Sequence, residues 1–329
     1  MRGRMAGQGR VSAGFQRAAA YYGVTFLITH GLAAGYLGAG GSWRRPDSFL
    51  VANLIMLVPG VVAALMARWS FREPVRASLG LRFAVNRWFA IAWLLPLLLS
   101  VATLLVGLAF PGVSYSPGLE GLSARFALEP ERARQLVPSV HGLSLVWTLV
   151  IQGALLGPTL CALTGLGEEA GWRGLLFREL APLGFWRRSW VIGLLWGGWH
   201  VPLVFEGYGY PSHPVLGALM LVLFTLLASP LYVFLRVRAG SVLAPAICHG
   251  SFGASMLLTF APISGGSELT SGLFAVPGIA IMAVVNVVLL FANKSPGPSE
   301  EHAQRLSSPA QFCAHAAARR NFATREKNL

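Results

Sequence analysis

The sequence predicts an all-α, polytopic membrane protein of about eight transmembrane helices around an intramembrane site. Three observations lead there. Only 12% of the 329 residues are charged, 54% are hydrophobic, and the mean hydropathy is +0.59, whereas a soluble domain carries about 25% charged residues. Eight apolar windows are long enough to cross a bilayer as helices. The basic residues alternate from loop to loop, so that 21 of the 26 fall on one side of an eight-span thread.

Taken in order, the windows are 18–38, 49–69, 89–110, 145–167 with a helical continuation, 190–205, 215–235, 242–260 and 272–292. The segment 1–17 before them is basic and polar. The apolar run after it lacks a small-residue cleavage site, which predicts an uncleaved first span rather than a signal peptide. With the N-terminus in the cytoplasm, the inside segments hold the arginine clusters and the outside loops hold only Arg44, Arg45, Arg125, Arg132 and Arg134. This is the positive-inside pattern, and it predicts cytoplasmic placement of both termini. The outside loop 112–142 carries mixed charges and predicts a short amphipathic helix near 123–136. The polar tail 295–329 reads as disordered and cytoplasmic. The membrane domain is thus 18–294, with a catalytic core at about 145–260.

A net charge of +13 invites a nucleic-acid reading. The basic residues recur between apolar segments instead of forming one basic domain, so no nucleic-acid partner is expected. Cys161, Cys248 and Cys313 are far apart and show neither a disulfide framework nor zinc-ribbon spacing. No internal repeat, phosphate loop or heptad is visible.

Chemistry concentrates in one stretch, Gly167-Glu168-Glu169-Ala170-Gly171-Trp172-Arg173-Gly174. Residues 144–166 before it carry no charge, and residues 191–205 offer little polar besides His200. Buried carboxylates cost several kcal/mol unless paired, protonated or metal-bound. Glu169 and Arg173 are i, i+4 and can pair. Counted from the cytoplasmic ends of their helices, Glu169 and His200 each lie ~16 Å deep and His249 ~12 Å, so acid and imidazole groups from three helices share a level. Glycines around them, among them Gly165, Gly197 and Gly250, allow close helix approach. His30, alone in an apolar helix, reads as a satisfied polar group. Trp172, Trp196 and Trp199 read as packing, and His141, His213, His302 and His315 carry no role.

Two carboxylates and two imidazoles suit water activation and stabilisation of the tetrahedral intermediate it forms. Glu168, His200 and His249 could equally hold one divalent metal such as Zn²⁺ with an open position. The residues alone leave both routes open.

These residues carry a resemblance. The chain resembles the CPBP intramembrane metalloproteases, also called the CAAX prenyl protease, bacteriocin-processing or Abi family, over about 165–254. The motif Glu-Glu-x-x-x-Arg is met by Glu168, Glu169 and Arg173. An aromatic four residues before His is met by Trp196 and His200, with Trp where Phe is usual. In the third motif His249 matches, and Gly253 stands where Asn or Asp is usual. The resemblance implies peptide-bond hydrolysis of a membrane-associated peptide or protein at the cytoplasmic leaflet, in contact with lipid. It implies Glu168 as the base with His200 beside it, Glu169 and Arg173 in support, and His249 at the oxyanion. The composition suggests a bacterial plasma membrane and a role in bacteriocin maturation, self-immunity or regulation. Gly253 keeps a second reading open, a catalytically weak or inactive member that binds or regulates. A proton- or metal-coupled transporter is a third, without the matching broken helices in two halves that such folds show.

Overall fold

Backbone groups in hydrocarbon have no water to bond with, so apolar windows close their hydrogen bonds internally as helices. A computed structural model of the chain, describing residues 2–43, 45, 48–126, 128–137 and 142–293, follows this rule. In chain order it has α1 (Arg2–Gly38), α2 (Ser48–Leu65), α3 (Val75–Ser78), α4 (Arg87–Leu108), β1 (Val113–Tyr115), α5 (Glu120–Phe126) and α6 (Pro130–Leu136). Then come α7 (Leu145–Leu156), α8 (Leu160–Glu169), α9 (Phe177–Glu179), α10 (Gly184–Phe205), α11 (Pro214–Ala239), α12 (Leu243–Ser255), β2 (Ile263–Gly265) and α13 (Val276–Ala292). The tail 295–329 with His302, His315 and Cys313, together with Arg44, His141 and Lys294, lies outside the described residues.

Each of the eight expected windows is largely helical, and the chain is an all-α membrane protein. By length and apolarity, three helices among the described residues can cross a bilayer: Ser48–Ser70, Arg87–Leu108 and Pro214–Ala239. The bent run Leu145–Leu156 plus Leu160–Glu179 makes a fourth when counted as one span. α1 and α10 are long but more polar, while Leu243–Thr259 and Val276–Ala292 are apolar but shorter.

α8 and α12 pack on each other at the centre. α2 covers the outer side of α8, α4 and α7 flank α12, and α11 lies between α10 and α13. Close approach depends on missing side chains. A Cβ on Gly165 would lie 2.7 Å from the Ala246 carbonyl of α12, and one on Gly167 would lie 2.7 Å from the Met56 carbonyl of α2. Only glycine permits α8 to be gripped from both sides. At one end Glu73 pairs with Arg17 at 3.3 Å and with Arg178, joining α1, the turn after α2 and α9.

Four expectations need correction. The window 145–167 is not one helix. It bends by 59° between α7 and α8, because Pro158 has no amide to donate and its ring clashes with the preceding turn. α10 begins at Gly184, six residues before the expected window 190–205, since the 3₁₀ turn Ala181–Leu183 ends at Gly184 with φ +70° and the helix starts there. His200 therefore lies near the far end of α10, so the level shared with Glu169 and His249 does not follow from counting residues inward. The single helix expected near 123–136 is instead α5 and α6, with Pro130 opening the second. Strands were not expected, yet β1 and β2 form an antiparallel ladder pairing Val113 with Gly265 and Tyr115 with Ile263. This ladder belongs to a polar cap. Arg125 stacks over Phe260 at 4.4 Å and donates to the Ser271 carbonyl at 2.6 Å, and Tyr210 donates to the Phe274 carbonyl at 2.7 Å. His213 pairs with Glu268 at 3.1 Å in the same cap.

Candidate active site

The site is built where α8 changes character. After Glu169 the chain runs through a π-helical segment, Ala170–Leu176, every residue of which is buried. π-turns of this kind widen a helix locally and recur at functional sites. The segment places Trp172 and Arg173 beside the two carboxylates of α8, and the two carboxylates have different partners.

Glu169 is fully buried. Its Oε1 accepts from Arg173 Nη1 at 3.1 Å and meets His249 Nδ1 at 3.0 Å. The Arg173 guanidinium, also fully buried, lies 4.6 Å from the centroids of both the Trp196 and the Tyr232 ring, which pack edge-on against each other at 5.5 Å. Aromatic neighbours are a favourable setting for a desolvated guanidinium. Glu169 Oε2 and Arg173 Nε and Nη2 have no partner among the described residues. The pair thus retains hydrogen-bonding capacity at the centre of the site.

Glu168, 2% exposed, is held differently. Its Oε2 accepts two indole N–H groups, from Trp172 at 3.1 Å and from Trp196 at 2.6 Å. Hydrogen bonds to a charged acceptor are about twice as strong as neutral ones. They fix this carboxylate and leave Oε1 as the oxygen that carries no indole.

Trp196 connects the parts. Its ring centroid lies 6.3 Å from His200 and 5.7 Å from His249, while its N–H is on Glu168. His200 Nδ1 lies 3.0 Å from the Trp196 carbonyl. A carbonyl only accepts, so Nδ1 carries the proton and Nε2 is the free nitrogen of the neutral ring. Trp199 packs edge-on against His200 at 4.6 Å, and Tyr232 against His249 at 5.9 Å. Glu168 is within electrostatic reach of both imidazoles. A small cleft, with room of about 20 Å³, opens beside His200, lined by Ala52, Ile55 and Met56 of α2, by Trp199 and Leu203 of α10, and by Trp43 and Tyr208.

The structure therefore gathers Glu168, Glu169, Arg173, His200 and His249 around one indole. Among the described residues, no three His, Cys, Asp or Glu side chains are grouped as metal ligands. His249 Nδ1 is engaged by Glu169, Glu168 Oε2 is engaged by two indoles, and the Trp196 ring packs against both imidazoles. These contacts leave Glu168 Oε1, His200 Nε2 and His249 Nε2 as the atoms not used by them.

Gly253 lies on the same face of α12 as His249. A Cβ there would meet nothing within 4 Å, so the space next to it is open. Ser251 does not fill that space. Two residues away, about 200° around the helix, it is buried against the backbone of Gly157.

Sequence reasoning missed the part played by the tryptophans. Trp172 follows Glu168 at i, i+4, a spacing that signals contact. Trp196 lies 28 residues from Glu168, and no local pattern announces that contact. Tyr232 had no signal either.

Residues 144–255, from the start of α7 to the end of α12, match the family model described as Type II CAAX prenyl endopeptidase Rce1-like. This family is one of membrane proteases, and the matched stretch contains all five candidate residues. A comparison with curated proteins found no match.

Proposed function

We propose that the Rce1-like region makes this chain an intramembrane endopeptidase, hydrolysing a peptide bond of a membrane-associated peptide or protein with water activated by Glu168. The observation that supports it most is the placement of a buried carboxylate on Trp196, the same indole that packs against both imidazoles.

In this reading Glu168 takes a proton from a water molecule whose other hydrogen is accepted by His200 Nε2. The water oxygen bonds to the scissile carbonyl carbon, and the carbonyl electron pair moves onto its oxygen. Glu168 then delivers its proton to the leaving nitrogen as the C–N bond breaks, releasing an amine and a new carboxylate. Glu169 holds His249 by Nδ1, so a protonated His249 points Nε2–H at the oxyanion. Arg173 balances the charge of Glu169. A preorganised oxyanion donor is worth about 10²–10³ in rate. Glu168 and His200 act on water directly, whereas Glu169 and Arg173 act through His249.

Prenylated C-terminal peptides, named in the family description, are the first substrate class to test. Unmodified membrane peptides of the bacteriocin-precursor type are the second. The arginine distribution supports a plasma membrane of bacterial type with both termini and the cut on the cytoplasmic side. The open space at Gly253 favours one alternative, a weak or inactive member that binds or regulates a membrane partner.

The test uses protein purified into nanodiscs and both peptide classes, with and without chelator, read by mass spectrometry. Cleavage by wild type that is lost in Glu168→Ala is expected; loss on chelation assigns a divalent metal to Glu168, His200 and His249, and insensitivity to chelator assigns a metal-free route. Equal cleavage by both proteins overturns the assignment to Glu168. A cellular phenotype that survives Glu168→Ala and His200→Ala supports the binding reading instead.

A further inference from the structure

The mechanism above leaves unused a group of arginines around Phe177, where α9, the start of α10 and the end of α11 meet. Arg236, in the last turn of α11, is half-buried. Its Nε donates to the Arg173 carbonyl at 3.1 Å, which ties it to the π-helical segment of the site. Its guanidinium carbon lies 5.3 Å from the Phe177 ring centroid. Arg188 of α10 lies 3.7 Å from the same centroid and donates from Nη1 to the Phe177 carbonyl at 3.5 Å. The two guanidinium carbons are therefore within about 9 Å of each other, close to the ~8 Å Debye length of physiological salt, and the two charges repel. The nearby carboxylates are committed elsewhere. Glu73 pairs with Arg17 and Arg178, and Glu179 pairs with Arg178. Among the described residues Arg236 has no ion pair, and its Nε bond is its one hydrogen bond.

A third arginine is brought up by the backbone. The chain turns at Gly80 with φ +68°, and a Cβ there would collide with Nη2 of Arg236, so this turn lies directly against the guanidinium. Two bonds to the turn between α11 and α12 hold it in place. The Val242 N–H donates to the Gly80 carbonyl at 3.0 Å, and the Ser241 hydroxyl donates to the Arg82 carbonyl at 2.6 Å. Arg82 is exposed, and the next residue, Phe83, is 80% exposed. Trp190, two residues after Arg188, is 47% exposed. Exposed aromatic side chains beside arginines mark the level of lipid headgroups in a membrane protein.

We propose that Arg236, Arg188 and Arg82 form a binding site for a phosphate oxyanion, filled by the headgroup of an anionic phospholipid. Guanidinium groups match phosphate oxygens in pairs, and one phosphate offsets the repulsion across Phe177. Phe83 and Trp190 select a lipid over a free anion, since they lie in the acyl-chain boundary when the headgroup is bound. Through the bond from Arg236 to the Arg173 carbonyl, the bound lipid steadies the π-helical segment from behind.

The test places full-length protein in nanodiscs of phosphatidylcholine alone and of phosphatidylcholine mixed with phosphatidylglycerol. Native mass spectrometry reads the lipid that stays bound on release, and thermal unfolding reads the stabilisation that a ligand of the folded state confers. Wild type is expected to retain phosphatidylglycerol and to unfold several degrees higher in the mixed discs. Arg82→Gln, Arg188→Gln and Arg236→Gln are expected to lose both the retained lipid and the shift. Arg82 is exposed, so its variant keeps the test decisive where Arg236→Gln fails to fold. Arg68→Gln, which removes an exposed arginine beyond the end of α2, is expected to keep both. Retention of phosphatidylglycerol by Arg82→Gln and Arg188→Gln at the wild-type level overturns the proposal. An equal loss in Arg68→Gln also overturns it, because it marks general surface charge. The same shift from inorganic phosphate added to phosphatidylcholine discs overturns the assignment to lipid. These readouts need no cleavage, so they stand apart from the endopeptidase reading.

Discussion

Glu168 and Glu169 are adjacent in sequence and answer to different physics. Glu168 is fixed by two indole N–H groups and Glu169 by a guanidinium and an imidazole. Gln can still accept both indoles, so Glu168→Gln should unfold at the wild-type temperature while losing about 10²–10⁴ in kcat, the contribution of a general base. Thermal unfolding and a cleavage assay on the same preparation check the two halves of that expectation. Arg173→Met should behave in the opposite way. Breaking a fully buried pair leaves one charge uncompensated, at about 3–5 kcal/mol, so stability should fall first, read as a large drop in unfolding temperature. Adding Glu169→Gln should recover part of it. An Arg173→Met protein as stable as wild type would show that the pair is not closed as described. The pair itself was legible because i, i+4 spacing is local. The contact of Glu169 with His249, 80 residues away, was not legible, and neither was the use of Trp196 as a donor. A tryptophan in an apolar helix has the same sequence signature whether or not its N–H is engaged.

At the scale of elements, the site depends on two breaks and one close approach. Apolar windows placed the helices, but counting apolar residues ignores what a single proline does. Pro158 accordingly went unread as a bend, and Gly184 as a helix start. The close approach is testable at Gly165. A Cβ there would lie 2.7 Å from the Ala246 carbonyl and 3.0 Å from His249 Cβ, so α12 must yield. Gly165→Ala should cost about 1–3 kcal/mol as overpacking and lower kcat more than its stability loss explains, because it shifts the helix that carries His249. Wild-type kcat in Gly165→Ala would refute this. The cap over the far end offers a pH test. The Ser116 hydroxyl bonded to Glu120 holds that carboxyl below its ordinary range. A depressed folded value contributes stability above the unfolded pKa and loses it as pH falls through the folded one. Hydrogen exchange of 113–126, corrected for intrinsic rates, should therefore show the cap loosening on acidification, and Glu120→Gln should abolish that dependence.

For the whole molecule, a charged centre lies inside an apolar bundle. Cysteine reporters placed before α1 and after α13 should both be labelled from the cytoplasmic side, and labelling from opposite sides would remove the orientation on which a cytoplasmic-leaflet substrate rests. The broad architecture was legible because a bilayer admits few backbone solutions. The convergence of α8, α10 and α12 on one indole was not, since it depends on packing that no periodicity encodes. The central claim is that Glu168 activates water for peptide hydrolysis within this bundle, and cleavage in H₂¹⁸O tests it most directly. Wild-type protein in nanodiscs should release a product with one ¹⁸O in its new carboxylate, and Glu168→Gln of equal thermal stability should release it about 10²–10⁴ times more slowly. Labelled product forming at the same rate from both proteins would contradict the claim.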